Sequence, residues 1–171
     1  MSPVLVLIHP PVSKPCEPPA GIGKLCGALL NGSRIKCSVV DANMEGILYL
    51  LKEPFAPTDT WTRRALRHHS GHIASLKNWR IYQHPDRYKR AITDLNRVLE
   101  MVTLPGGFRL GLANFDHPGI SPARSGDLIR AAEVPETNPF YPYFKNRLLK
   151  ILESEQPSVV GLSLNYLSQA V

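Results

Sequence analysis

The feature that most constrains the fold is an uninterrupted aliphatic run near the start of the chain, Val4-Leu-Val-Leu-Ile8. It has no polar alternation, so both faces of the strand it predicts must be covered, as in a parallel sheet. A proline-bearing loop, His9 to Ala20, leads into Gly21-Ile-Gly-Lys-Leu-Cys-Gly-Ala-Leu-Leu30. There Ile22, Leu25, Cys26, Leu29 and Leu30 recur at helical spacing, and Asn31-Gly32 supplies a stop. Ile35-Lys-Cys-Ser-Val-Val40 predicts a second strand ending at Asp41. Strand, helix and strand in this order form a βαβ unit, which implies a right-handed parallel crossover.

Beyond it, Met44, Ile47, Leu48 and Leu51 predict a helix from Asn43 to about Lys52. A second helix is expected around Asp59–Leu76, capped by Asp59 or Thr60, and a third over Asp86–Val102. In that third helix Asp86 is the expected cap, and Tyr88, Ile92, Leu95, Leu99 and Val102 form the apolar stripe. Phe108–Ala113 reads as a short strand or hairpin arm. Asn138-Pro139 opens a helix to about Ser154, with Phe140, Phe144, Leu148 and Leu152 inward. Ser158-Val-Val-Gly-Leu-Ser-Leu164 is expected to be a third buried strand. Its exit is unusually polar, with Asn165, Tyr166, Ser168 and Gln169. A doubly wound sheet has five or more strands. The expectation is therefore a domain truncated after its third strand, whose bare edge must be protected by dimerisation or strand exchange.

A chain of 171 residues with 43% hydrophobic and 20% charged content is long enough for one globular domain, and disordered or fibrous classes are excluded. There is no apolar run long enough to span a bilayer, and the opening residues read as a strand and not as an export signal. Cys16, Cys26 and Cys37 fit neither a disulfide framework nor a metal-binding pattern, so a reducing cytoplasm is the expected location. Residues 59–97 carry nine Lys/Arg against three Asp, which accounts for the whole net charge of +6. Without an aromatic-rich module beside it, that stripe is read as a solvated face, and nucleic acid is not expected as a partner.

Three separated segments together resemble one family. They are Leu5-Val-Leu-Ile-His-Pro-Pro11 leading to Pro19-Ala-Gly-Ile-Gly-Lys-Leu-Cys-Gly-Ala-Leu29, then Val39-Val-Asp-Ala-Asn43, then Pro157-Ser-Val-Val-Gly-Leu-Ser163. The chain resembles the amino-terminal cobalamin (B12)-binding-type domain of radical S-adenosylmethionine enzymes over roughly a third of its length, by the three segments together. The resemblance implies an α/β fold with an open parallel sheet, a flavodoxin- or Rossmann-like three-layer arrangement. Residues 1–52 would be its first half, residues 53–137 a mainly helical insertion, and residues 138–171 the helix and third strand. It further implies cobalamin over the strand exits, held by His9, Pro10, Pro11, Gly21, Ile22, Asp41, Asn43, Ser163, Leu164, Asn165 and Tyr166. S-adenosylmethionine and a 4Fe-4S cluster would belong to a downstream radical domain of the parent chain. The fragment itself would bind and not catalyse. Two departures stand out. The Asp-x-His-x-x-Gly cobalt-ligating motif is absent after the first strand, and no Cys-x-x-x-Cys-x-x-Cys triplet exists. The first departure leaves open a scaffold or substrate-binding domain of the same enzyme class that does not bind cobalamin.

Other motifs are weaker. Gly21-x-Gly23-x-x-x-Gly27 has the wrong spacing for a dinucleotide fingerprint and sits behind a long loop instead of a tight turn. His68 and His72 share a helix face, but no carboxylate stands at the spacing of a zinc hydrolase, so a solvated or partner-facing surface is preferred. Asp41 and Glu45 lie near the expected crevice without a nucleophile to serve, and Asp41 is better placed as a helix cap.

Overall fold

β1 (Val4–Ile8) occupies the centre of a parallel three-stranded sheet of order β2-β1-β5 in the computed structural model, which describes residues 4–17, 19–32 and 35–170. After β1 come α1 (Ala20–Gly32), β2 (Lys36–Val40), α2 (Ala42–Leu50) and α3 (Thr60–Leu76). A 3-10 turn at Trp79–Gln83 separates α3 from α4 (Pro85–Thr103). A small antiparallel hairpin, β3 (Arg109–Leu110) with β4 (Phe115–Asp116), precedes α5 (Ser125–Glu133). α6 (Tyr141–Tyr143) continues through a π turn at Phe144–Leu148 into α7 (Leu149–Glu155), and β5 (Val159–Leu162) completes the sheet. The chain is thus mixed α/β with a partial Rossmann-like sheet. Among the described residues no helix is long and apolar enough to cross a membrane.

Alternation along β1 divides the sheet's packing. Val6 and Ile8, with Val40 of β2, face Tyr143, Phe144, Leu148, Ile151 and Leu152 of the α6–α7 run. Leu7 points to the opposite face, where α1 packs along β2. β5 does not have the burial its composition led us to expect. Val159 is 58% exposed, Val160 44% and Leu162 63%. The helical layers are anchored on β1 and β2 and leave β5 as an uncovered edge on both faces.

A second core joins α2, α3, α4 and the hairpin to the loop after β1. Val12, Ile47, Leu50 and Leu51 pack with Ala65, Leu95, Val98 and Leu99, and with Phe108, Leu110, Phe115 and Phe140. Two expectations about α4 are corrected here. Asp86 does not cap it, because Pro85 opens the helix and its missing N–H removes one of the donors a cap would satisfy. The buried face is also rotated from the expected stripe. Ala91, Asp94, Leu95, Val98 and Leu99 are buried, whereas Tyr88 stands exposed. The helix after Asn138 likewise starts later and is interrupted by the π turn. The 3-10 turn and α5 were not expected from the sequence.

Asp94 is a carboxylate buried in the α3–α4 seam, and three donors from α3 meet it. Trp61 Nε1 lies 3.3 Å away, Arg64 Nη2 3.2 Å and His72 Nε2 3.0 Å. Burial pushes its pKa up, but the hydrogen bonds from His72, Arg64 and Trp61 outweigh that and hold it below the ordinary range. A carboxylate with a lowered folded-state pKa stabilises the fold above about pH 4 and loses that contribution as the pH falls. Asp94→Ala is expected to cost about 2–4 kcal/mol in urea unfolding at neutral pH, toward the low side of a broken buried pair because Arg64 keeps water access. The variant's stability should also depend less on pH below about 4 than the wild type's does.

Gly46 of α2 sits against two rings. A Cβ there would lie 3.0 Å from Phe140 Cδ1 and 3.6 Å from Tyr143 Cδ1. Phe140 is fully buried and stacked edge-on to Phe115, so it has little room to withdraw. The few tenths of a kcal/mol that Gly46→Val gains in helix propensity are smaller than an overpacking cost of about 1–3 kcal/mol. Equilibrium denaturation should therefore show Gly46→Val to be less stable with an unchanged m value.

Candidate functional site

The parallel register sets Ile8 level with Val40 on one side and Leu162 on the other. The residues that follow, His9, Asp41 and Ser163, therefore leave the sheet at the same end. Backbone hydrogen bonds continue past the strands, with His9 N–H to Val40 O at 2.9 Å, Ser163 N–H to Ile8 O at 3.0 Å and Asn43 N–H to His9 O at 2.9 Å. The first turn of α1 closes the group, since a Cβ on Gly21 would lie 3.8 Å from Ser163 Oγ. The loop His9–Pro11, the pair Gly21–Ile22, Asp41 and Asn43, and Ser163–Tyr166 all border this one end.

Within that crown the residues divide into supports and exposed groups. His9 is buried, its Nε2 lies 2.9 Å from Ser13 Oγ, and its Nδ1 has no hydrogen-bond partner among the described residues. The buried Asn43 amide acts as a peptide mimic. Its Oδ1 accepts from Ser13 N–H at 2.9 Å and its Nδ2 donates to Ser13 O at 3.0 Å. Pro11 and Ile22 are buried beside them. Asp41 accepts from Met44 N–H at 3.0 Å and caps α2. Glu45 accepts from the Tyr143 hydroxyl and from Arg147 Nε, each at 3.2 Å. Burial, then the Glu45 charge, raises the Tyr143 phenol far above its usual range. Neither carboxylate is free to serve as an acid–base pair. Gly21, Leu164, Asn165 and Tyr166 are exposed, and Ser163 is half-buried.

Gln169 bridges two of these exits and was not among the expected site residues. Its Nε2 donates to Pro10 O at 2.6 Å, and its Oε1 accepts from Asn165 N–H at 2.7 Å and Tyr166 N–H at 3.0 Å. It thereby ties the β1 exit to the β5 exit. The Tyr166 hydroxyl adds a bond of 2.7 Å to Glu17, lowering the Glu17 pKa and raising its own. The polar run after β5 was the only sequence signal for this bridge. On the α2 side of the same loop, a cleft of about 390 Å3 opens between Lys14, Cys16, Met44, Leu48, Leu76 and Tyr88.

Among the described residues no group of three or more His, Cys, Asp or Glu is placed to hold a metal ion. His72 is tied to Asp94, while His68 is exposed with its ring centroid 6.2 Å from that of His72. Cys26 and Cys37 are half-buried neighbours. Burial and then the Cys26 thiol push the Cys37 thiol above its ordinary range, so Cys37 is not a primed nucleophile. No protein-family model, no curated protein and no solved structure matches this chain.

Proposed function

We propose that this chain is a cobalamin-binding-type accessory module of a radical S-adenosylmethionine enzyme, presenting the cofactor at the carboxyl ends of its parallel strands. The observation that carries the reading is the convergence of three strand exits in the order β2-β1-β5. That is the opening of a flavodoxin-like order, in which the ligand crevice lies at the switch point, here between β1 and β5.

Cobalamin held over these exits would be offered no protein nitrogen for its metal. His9 is buried and bonded to Ser13, so it is not presented as an axial ligand. Gly21, lacking a side chain beside Ser163, leaves backbone open at the mouth of the crevice, and Leu164 and Tyr166 offer exposed apolar surface on its β5 side. Bound cobalamin would supply cobalt-centred group-transfer chemistry. The chain's own part is to hold the ligand with Gly21 and Ser163–Tyr166, to keep a rigid floor at His9–Ser13, and to exclude water on the sheet side. The three cysteines do not suit an iron–sulfur cluster, so S-adenosylmethionine and the 4Fe-4S cluster fall to a downstream radical domain. The uncovered apolar edge of β5 suits docking of that domain, or of a second copy of this chain. A second reading, a scaffold that does not bind cobalamin, is favoured by Gln169, whose side chain already spans the crevice.

Visible spectroscopy and gel filtration with hydroxocobalamin at tens of micromolar, an affinity of about −6 kcal/mol, decide between them. The first reading expects colour to co-elute with the wild type, to increase with Gln169→Ala and to vanish with Gly21→Trp, which fills the mouth at an exposed helix position. Colourless wild-type and Gln169→Ala fractions would leave the scaffold reading in its place.

A further inference from the structure

The α3–α4 hairpin carries the chain's excess charge, and the fold determines which cations are neutralised. Arg64 pairs with buried Asp94, and Arg97 pairs with Asp59 and Glu100. The other seven Lys/Arg of residues 59–97, among them Arg80, Arg87, Lys89 and Arg90, make no salt bridge among the described residues. The acidic residues of this region are thus largely used inside the hairpin, and the cations left over are on its surface. Arg80, His84, Arg87 and Arg90 line an open groove of about 580 Å3 between the end of α3, the 3-10 turn and the first turns of α4, with Ile81 at its base.

The same 3-10 turn and the start of α4 carry a row of uncovered aromatic rings, of which Tyr82 and Tyr88 border the cleft on the α2 side. Trp79 is 74% exposed, Tyr82 49% and Tyr88 39%. Their centroids are spaced 5.9 Å from Trp79 to Tyr82 and 5.5 Å from Tyr82 to Tyr88. The Tyr82 hydroxyl donates to Leu76 O at 2.8 Å, which fixes the middle ring of the row. The other tryptophan, Trp61, is used internally, hydrogen-bonded to Asp94 and with Arg97 over its ring at 4.8 Å. Packing explains Trp61 and does not explain Trp79.

We propose that the α3–α4 hairpin binds single-stranded nucleic acid, with phosphates in the Arg80/Arg87/Arg90 groove and bases stacked on Trp79, Tyr82 and Tyr88. A strand crossing the turn from the arginine groove to the ring row alternates negative charge with flat rings, and every unpaired base has such a face. A duplex hides its base faces, and a plain polyanion has none, so neither would use the ring row. Trp79, Tyr82 and Tyr88, scattered among charges in the sequence, are brought into a row by the 3-10 turn and the start of α4.

Fluorescence anisotropy of the whole chain with labelled oligo-dT and oligo-U of about 20 nucleotides, beside a duplex of equal length and heparin, tests this at about 50 mM salt. Micromolar binding of a single strand is expected, weakening steadily with added salt, with duplex binding weaker. Arg87→Glu combined with Arg90→Glu should reduce both the affinity and the salt slope. Trp79→Ala changes an exposed side chain and should keep the wild-type circular dichroism. It should weaken single-strand binding roughly five- to tenfold, the worth of one stacked base, and leave heparin binding unchanged. Absence of binding at low salt would overturn the proposal, as would equal affinity for single strand, duplex and heparin with no effect of Trp79→Ala.

Discussion

β1 is hydrogen-bonded in parallel along both of its edges, and the positions of the other parts follow from that. A strand held on two sides cannot slide against one neighbour without breaking its ladder with the other. Leu7 adds a steric lock. Opposite it in β5 is Gly161, where a Cβ would lie 2.8 Å from Leu7 Cδ2. A slip of one residue would bring Val160 or Leu162 to that position and turn every β5 side chain to the other face. The register is therefore selected at one position, and with it the levelling of the His9, Asp41 and Ser163 exits.

Where strands end, backbone donors and acceptors lose their ladder partners and must be satisfied otherwise. This chain uses primary amides, which can donate and accept as a peptide does. Asn43 completes both backbone groups of Ser13, and Gln169 joins Pro10 O to two N–H groups after β5. The two amides differ in setting. Asn43 lies between packed elements and makes the His9–Ser13 loop a fixed floor. Gln169 reaches across from a turn whose neighbours Asn165, Tyr166 and Leu167 are exposed, so its bridge can open at lower cost. In the proposed binding reading, the floor orients and the bridge yields.

Local pattern was enough to read β1, α1, β2, α2 and α3, because hydrophobic spacing and the Asp41 and Asp59 caps act within a few residues of themselves, while the end of α1 past Gly32 lies outside the described residues. What depends on distant partners was not legible. Val159-Val160-Gly161-Leu162 has the composition of a buried strand, but composition states a demand for cover and not whether the chain meets it. On α4, Tyr88 fitted the apolar stripe by spacing, while Asp94 was counted as polar. The carboxylate is buried because α3 brings Trp61, Arg64 and His72 to it, which no local window contains. The same holds for the crown, where the exits were placed by the βαβ pattern, but Ser13, Glu17 and Gln169 are joined to them only by the three-dimensional path of the loops.

The two edges of the sheet are built differently. β2 bears Lys36, tied to Glu155 at 2.8 Å, and α1 packs along that strand, so its outer edge carries charge and cover. β5 has neither, and Val159, Val160 and Leu162 are open on both faces. Charged edge residues discourage pairing with another strand, and an apolar edge without them invites it. A single docked helix would cover only one face of β5, whereas an added strand with its own flanking layers would cover both and satisfy the unpaired backbone as well. The switch point lies between β1 and β5, so under the proposed function the element that completes β5 also walls the crevice between His9 and Ser163, which couples ligand retention at the exits to what is docked on the open edge.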